Sequence, residues 1–320
     1  MSRVVAVVAV VLGVALIVVT LALSMFSRTD GAQKVVDAFR VNPMSQQGLR
    51  TLRADFVVVR AGGVQLVNGL APTLARQLGL SPAQFEAYLK GKFPAVATAV
   101  AKIPGYNTYV GAYIPRLEAN RKNFEAADSL PGLGLPVDST PWLMVGLGVL
   151  VALAGLLGVR SQGRGPIIAI GVLGLVLSVG TLALSIPSKA SDARTVATVG
   201  RDALSAQKAQ LAQTGAGEVD RLVTQTETQL VPALAAKLHT TPAQVSATIA
   251  KNFPAVATFL ARWHSDLRTK AFTIAAAQRA HVNDFAKADA VPFKTLPWLL
   301  IVPGIVLVVL AGIALVRRPS

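Results

Sequence analysis

The chain has 320 residues, of which 52% are hydrophobic and only 15% charged, with a mean hydropathy of +0.53 and a formal net charge of +15. A soluble domain carries about a quarter charged residues, so the composition excludes an ordinary soluble globular protein and predicts an all-α membrane protein. The absence of cysteine excludes disulfides, thiol nucleophiles and Cys-ligated zinc or iron–sulfur clusters.

In chain order, residues 1–27 form the first predicted span. Val4 to Ser27 is free of ionisable residues for 24 positions, long enough to cross a hydrocarbon layer that needs about 20. Ala22-Leu23-Ser24 resembles a weak signal-peptidase site, but the run is long for a signal-peptide core of about 7 to 15 residues, and retention is expected. Residues 28–138 follow as a large polar domain. Val35 to Val41 and Leu49 to Leu80 read as helices, with Val57-Val58-Val59 the one strand-like run. Ser81-Pro82-Ala83-Gln84 offers an N-cap, a proline at the first helical position and a glutamine at N3, so a helix starts there. Phe93-Pro94 ends it and starts the next. Pro104-Gly105 and Pro115 should break that next helix and leave Tyr106, Tyr109 and Tyr113 clustered on a loop.

The second span is residues 139–159, followed by a turn at 160–164 and a third span at 165–188. A second large domain, 189–294, reads as helices over Asp192 to Thr214 and Glu218 to Leu238, separated by a turn at Thr214-Gly215-Ala216-Gly217. Thr241-Pro242-Ala243-Gln244 starts another helix, and from Pro254 to about Ala288 neither Gly nor Pro intervenes, which predicts one long helix. Residues 295–316 are the fourth span and 317–320 a short tail, with Pro303 expected to kink the helix. The architecture expected is thus four transmembrane helices carrying two helical bundles outside the cytoplasm.

The two halves, 1–160 and 161–320, match along their length. Thr20-Leu21-Ala22-Leu23-Ser24 recurs as Thr181-Leu182-Ala183-Leu184-Ser185, and Phe93-Pro94-Ala95-Val96-Ala97-Thr98 recurs letter for letter from Phe253 to Thr258. Pro141-Trp142-Leu143 recurs as Pro297-Trp298-Leu299. A tandem duplication is the reading, and because each unit holds two spans, both copies enter the membrane in the same sense, about a pseudo-two-fold axis along the membrane normal. Outside the large domains the only charged residues are Arg3, Arg160, Arg164, Arg317 and Arg318. Positive charge concentrates on the cytoplasmic side of spans, so both termini and the 160–164 turn are expected in the cytoplasm of a bacterium, with both domains beyond its plasma membrane.

Chemistry is sparse in this sequence. His239, His264 and His281 all lie in the second half, without counterparts in the first, and their spacing does not place them on one helical face. Hydrolase, zinc-protease, P-loop and dinucleotide-binding patterns are missing, and the spans carry no ionisable residue of the kind that proton-coupled carriers use. The expectation is therefore a protein that is not an enzyme, with no cofactor and no metal. Phe93 and Phe253 are candidates for a lipid or partner groove, although packing at a helix junction explains the same letters. Tyr106, Tyr109 and Tyr113 are the candidate contact unique to one half. Asp128 and Asp289 are equivalent acids, best read as solvated helix ends. Trp142 and Trp298 read as anchors in the interfacial layer. Small residues such as Gly148 with Ala152, and Gly171 with Gly174, suit close helix contacts within the chain or with a partner, a homo-oligomer included. Membrane lipid and an envelope protein are the expected partners, and nucleic acid is not. The leading expectation is a scaffold or accessory subunit, and the alternative is a lipid-handling accessory with an apolar cleft between the bundles.

Overall fold

The computed structural model describes residues 2–41, 44–127, 135–161 and 163–316, and every element among them longer than an isolated bridge is helical. Asp128, Arg317 and Arg318 lie outside the described residues. The helices are α1 (Ser2–Ala22), α2 (Met25–Val41), α3 (Gln46–Gln65), α4 (Ala71–Gln77), α5 (Pro82–Lys92) and α6 (Pro94–Ala127). They continue with α7 (Thr140–Ser161), α8 (Arg164–Leu175), α9 (Thr181–Ala183), α10 (Ile186–Leu204), α11 (Ala206–Gln225) and α12 (Val231–Lys237). The last five are α13 (Pro242–Asn252), α14 (Pro254–Arg262), α15 (Arg268–Ala280), α16 (Val282–Asp289) and α17 (Leu296–Val316). Wider π turns join α3 to α4, α8 to α9, α11 to α12 and α14 to α15.

Two compact units emerge, and each draws on both halves of the sequence. One comprises Met1–Phe39, Asn120–Asp202 and His281–Ser320, and the other Arg40–Ala119 and Ala203–Ala280. The first contains the four helices long and apolar enough to cross a membrane, Arg3–Ala22, Val137–Ser161, Arg164–Ala183 and Leu296–Val316. Their inward faces form one core around Val5, Ala9, Met144, Val151, Ile167, Ile170 and Leu307. Outward, Val7, Val11, Val14 and Val18 of α1 and Leu150, Leu153 and Leu157 of α7 are exposed, as are comparable residues on α8 and α17. An apolar exterior over an apolar interior is the arrangement a hydrocarbon solvent favours. Hydroxyl groups in these helices are satisfied at home: Thr20 donates to the Leu16 carbonyl at 2.7 Å and Ser178 to that of Gly174 at 2.8 Å.

Glycine permits two backbone crossings in this unit. A Cβ on Gly148 would stand 2.8 Å from the Gly13 carbonyl oxygen, and one on Gly304 would stand 2.7 Å from that of Gly174. Both crossings pair consecutive spans within one half of the chain, α1 with α7 and α8 with α17. Just past α1 and α9, Ser24 and Ser185 adopt left-handed backbone, with φ of 50° and 53°, before α2 and α10 begin. Pro303 lies inside α17.

The second unit has its own core, built from Leu70, Leu74, Phe85, Leu89, Phe93 and Val96 of the first half with Leu222, Leu230, Leu234, Val245, Ile249 and Val256 of the second. Several local expectations change here. Val57-Val58-Val59 lies in α3, because packing of a helical face overrides β-branched preference. Thr214 to Gly217 runs through α11 without a turn. The predicted break at Pro104 and Pro115 does not occur: α6 continues through both, since each proline removes a single backbone donor while Val96, Ala99, Ile114 and Leu117 keep one face buried. In the second half, by contrast, the single long helix predicted over 254–288 is divided by the π turn Trp263–Leu267 and a turn at His281.

Candidate functional site

In the 40–119 and 203–280 unit, α3 is the central strut. Its paired glycines, Gly62 and Gly63, are both buried and face different partners. A Cβ on Gly62 would meet Phe259 of α14 at 2.5 Å, and one on Gly63 would meet the Ile103 side chain of α6 at 2.8 Å. Only glycine lets two helices close on α3 from both sides.

The helix starts at Pro94 and Pro254 are capped from a distance. Proline at the first position has no N–H, and Phe93 and Phe253, which precede it, offer no side-chain acceptor. The next two amides of α14, Ala255 and Val256, both donate to Gln65 Oε1, at 2.7 and 3.1 Å. Those of α6, Ala95 and Val96, donate to Gln225 Oε1, at 2.8 and 3.2 Å. Each half thus supplies the acceptor for the other half's helix. Phe93 is buried in the shared core and Phe253 packs over Gly69, so both side chains are consumed by packing at the junctions.

Ion pairs close the same contacts. Asp55 of α3 accepts from Arg262 and Lys270 at 2.7 and 2.8 Å, and both also reach Asp266. Hydrogen bonds from Arg262 and then Lys270 hold the Asp266 carboxyl well below the usual carboxylate range. Asp220 takes a two-pronged bond from Arg268 and a third from the Trp263 indole, and these keep it low as well.

The three tyrosines lie on α6, and the expected loop does not form because the helix runs on through its prolines. Tyr106 donates to Glu218 at 2.8 Å, and burial followed by that bond pushes its hydroxyl up to about 12. Burial pushes Glu218 up, yet bonds from Lys102 and Tyr106 outweigh it and leave the carboxyl below its ordinary value. Tyr109 stacks on Tyr113 with ring centroids 6.2 Å apart, and the Lys208 ammonium sits 4.5 Å from the Tyr109 centroid. Tyr106 and Tyr109 therefore face α11 of the same unit.

Beside Gly63 lies an open groove of about 480 Å³. Arg60, Val64, Val67 and Asn68 border it on α3 and its π turn, and Ile103, Asn107 and Thr108 border it on α6. Neither the individual residues nor their spacing announces this groove in the sequence; the nearest signal is the glycine pair Gly62-Gly63 inside a helix. His264 pairs with Glu227 and His281 with Asp284, while His239 occupies a left-handed position with φ of 51° after α12. No group of three or more His, Asp or Glu is arranged to hold a metal ion among the described residues.

In the other unit, Trp142 and Trp298 are 68% and 60% exposed at the starts of α7 and α17, with Trp142 edge-on to Phe26 at 4.9 Å. Arg3, Arg160 and Arg164 lie at helix ends on the exposed surface, and Asp289 is held by Arg201 through two 2.8 Å bonds. Comparison of the chain with protein-family models, with curated proteins and with solved structures finds no match.

Proposed function

We propose that the chain is a tandem duplication of a two-span unit, residues 1–160 and 161–320, inserted with a pseudo-two-fold axis along the normal of a bacterial plasma membrane, with both termini cytoplasmic. In this reading the protein is a non-enzymatic scaffold or accessory subunit, whose helical bundle outside the cytoplasm binds a protein partner or an envelope lipid.

The observation that carries it is the reciprocal capping by Gln65 and Gln225, which ties two segments that lie 160 positions apart in the chain into one compact body. That body holds 17 Lys and Arg against 7 Asp and Glu, a basic surface suited to acidic envelope components. The five arginines at the ends of the spans support the orientation. An apolar cleft between the halves has less support, because leucine, valine and phenylalanine side chains fill the space where the halves meet.

Affinity purification from the native membrane in mild detergent, with proteins and lipids identified by mass spectrometry, tests the reading. A stoichiometric protein partner supports the accessory role, and a specific lipid without one supports lipid binding. Purification of the bare chain with neither would overturn both.

A further inference from the structure

The 40–119 and 203–280 unit treats its two halves unequally at one place. In the second half Trp263 and Leu267 pack with Val223 and Phe259, and the Trp263 indole donates to Asp220 at 3.1 Å. At the offset of 160 that relates the two π turns Leu66–Leu70 and Thr226–Leu230, these positions are Ile103 for Trp263, Asn107 for Leu267 and Gly63 for Val223. All three side chains are smaller in the first half; Ile103 packs directly on Gly63, and the groove of about 480 Å³ lies alongside that contact. Charge reverses too, since Arg60 stands where the second half has Asp220.

The groove carries solvent-facing donors that no protein group of the described residues takes up. Arg53, Arg262 and Arg268 of this unit are each paired with a carboxylate, whereas Arg60 has no ion pair or hydrogen bond among the described residues. The amides of Asn68 and Asn107 are likewise without a hydrogen bond among them. A guanidinium beside two amides presents a fork of donors that matches a carboxylate or phosphate. Val64, Val67 and Ile103 supply an apolar wall next to those donors. The volume falls within the range of about 300 to 1,000 Å³ that small-molecule sites occupy.

We propose that this groove binds a small amphiphilic anion, a carboxylate or phosphate joined to an apolar body. The proposal rests on the reading of this unit as a binding module and names the class of its ligand. The test uses the full chain in zwitterionic nanodiscs, with hexyl phosphate and hexanoate as probes and hexanol and inorganic phosphate as controls, read by calorimetry or ligand-observed NMR. Saturable binding of the amphiphilic anions, with both controls at least about tenfold weaker, is expected. Arg60→Gln, on an exposed side chain, should weaken binding by about ten- to a hundredfold, the loss of a charged hydrogen bond. Ile103→Trp with Asn107→Leu, which rebuilds the packing of the second half, should abolish it.

Displacement of the probe by nanodiscs that contain an anionic phospholipid would identify a lipid headgroup as the source, and its persistence would identify a free amphiphile; either fits the proposal. Equal affinity for hexanol and hexyl phosphate, or unchanged binding by Arg60→Gln, would overturn it. If no probe binds while a protein partner co-purifies, the groove proposal falls and the binding-module reading stands.

Discussion

Gln65 and Gln225 concentrate much of what holds the 40–119 and 203–280 unit together into two side-chain oxygens, each accepting two amides at a helix start in the other half. Loss of a helix cap costs about 1–2 kcal/mol, and leaving half-buried donors unpaired adds to that. Gln65→Ala is therefore expected to lower unfolding stability by about 1–2 kcal/mol, with Gln225→Ala alike. Gln65→Glu should match or exceed the parent, because a carboxylate near a helix N-terminus is favoured by about 0.3–1 kcal/mol. Chemical denaturation in mild detergent measures both, and an alanine variant as stable as the parent would remove the capping role. Acid should act through the ion-pair cluster. The carboxyl of Asp266 is depressed by Arg262 and Lys270, that of Asp220 by Arg268, and that of Glu218 by Lys102 and Tyr106. A depressed carboxylate contributes stability that is complete above its unfolded value of about 4 and disappears as pH falls through the folded value. Stability of this unit should hold through neutral pH and decline below about pH 4, with Asp266→Asn flattening the decline. An unchanged acid limb in that variant would assign the loss to other groups.

At the scale of elements, close approach of helices depends on which glycines face a neighbour. Gly148 and Gly304 each lie with a would-be Cβ under 3 Å from a backbone oxygen, whereas Gly146 and Gly312 have nothing within 4 Å. Gly148→Ala and Gly304→Ala should force their helix pairs apart at a cost of about 1–3 kcal/mol, and Gly146→Ala and Gly312→Ala should be neutral or slightly stabilising. Thermal aggregation in detergent would order the four variants, and equal behaviour would contradict the crossing geometry. Elements with a local cause are legible in the sequence: each charge-free stretch contains an apolar helix, though the first and third end at Ala22 and Ala183, short of the expected 27 and 188; the capping boxes form at Ser81 and Thr241, and helices begin at Pro94 and Pro254. Elements decided by packing are not. Pro104 and Pro115 read as breakers, yet α6 runs through them, and the glycines after Thr214 read as a turn, yet they lie in α11, where a Cβ on Gly215 would stand 3.8 Å from the Tyr106 ring. A breaker rule weighs one lost hydrogen bond, and it has no knowledge of the buried face that outweighs it.

At the scale of the molecule, similarity between halves says which segments resemble each other and not which ones touch. The shared core and the imported caps therefore had no signature in the sequence, and the groove at Gly63 is a shortage of volume that only assembled helices display. The exchange of caps makes a further outcome measurable. Halves cut between Ser161 and Arg164 and expressed together should co-purify as one complex, while either alone should aggregate or pair with itself, because each lacks the acceptor for its own helix start. Two stable, independent monomers would refute that interdependence. Orientation is open to a clean test because the chain contains no cysteine, so a single introduced thiol reports its own side of the membrane. Gly91 has open space around it near the end of α5, and Ser161 is exposed at the end of α7 beside Arg160. In the proposed orientation, with positive charge at the short turn facing the cytoplasm, Ser161 would lie in the cytoplasm, and a single span between them would put Gly91 on the opposite side. In intact cells a membrane-impermeant maleimide should label Gly91→Cys at once and Ser161→Cys only after lysis. The reverse pattern would invert the topology, and with it the compartment in which the Arg60 groove meets its ligand.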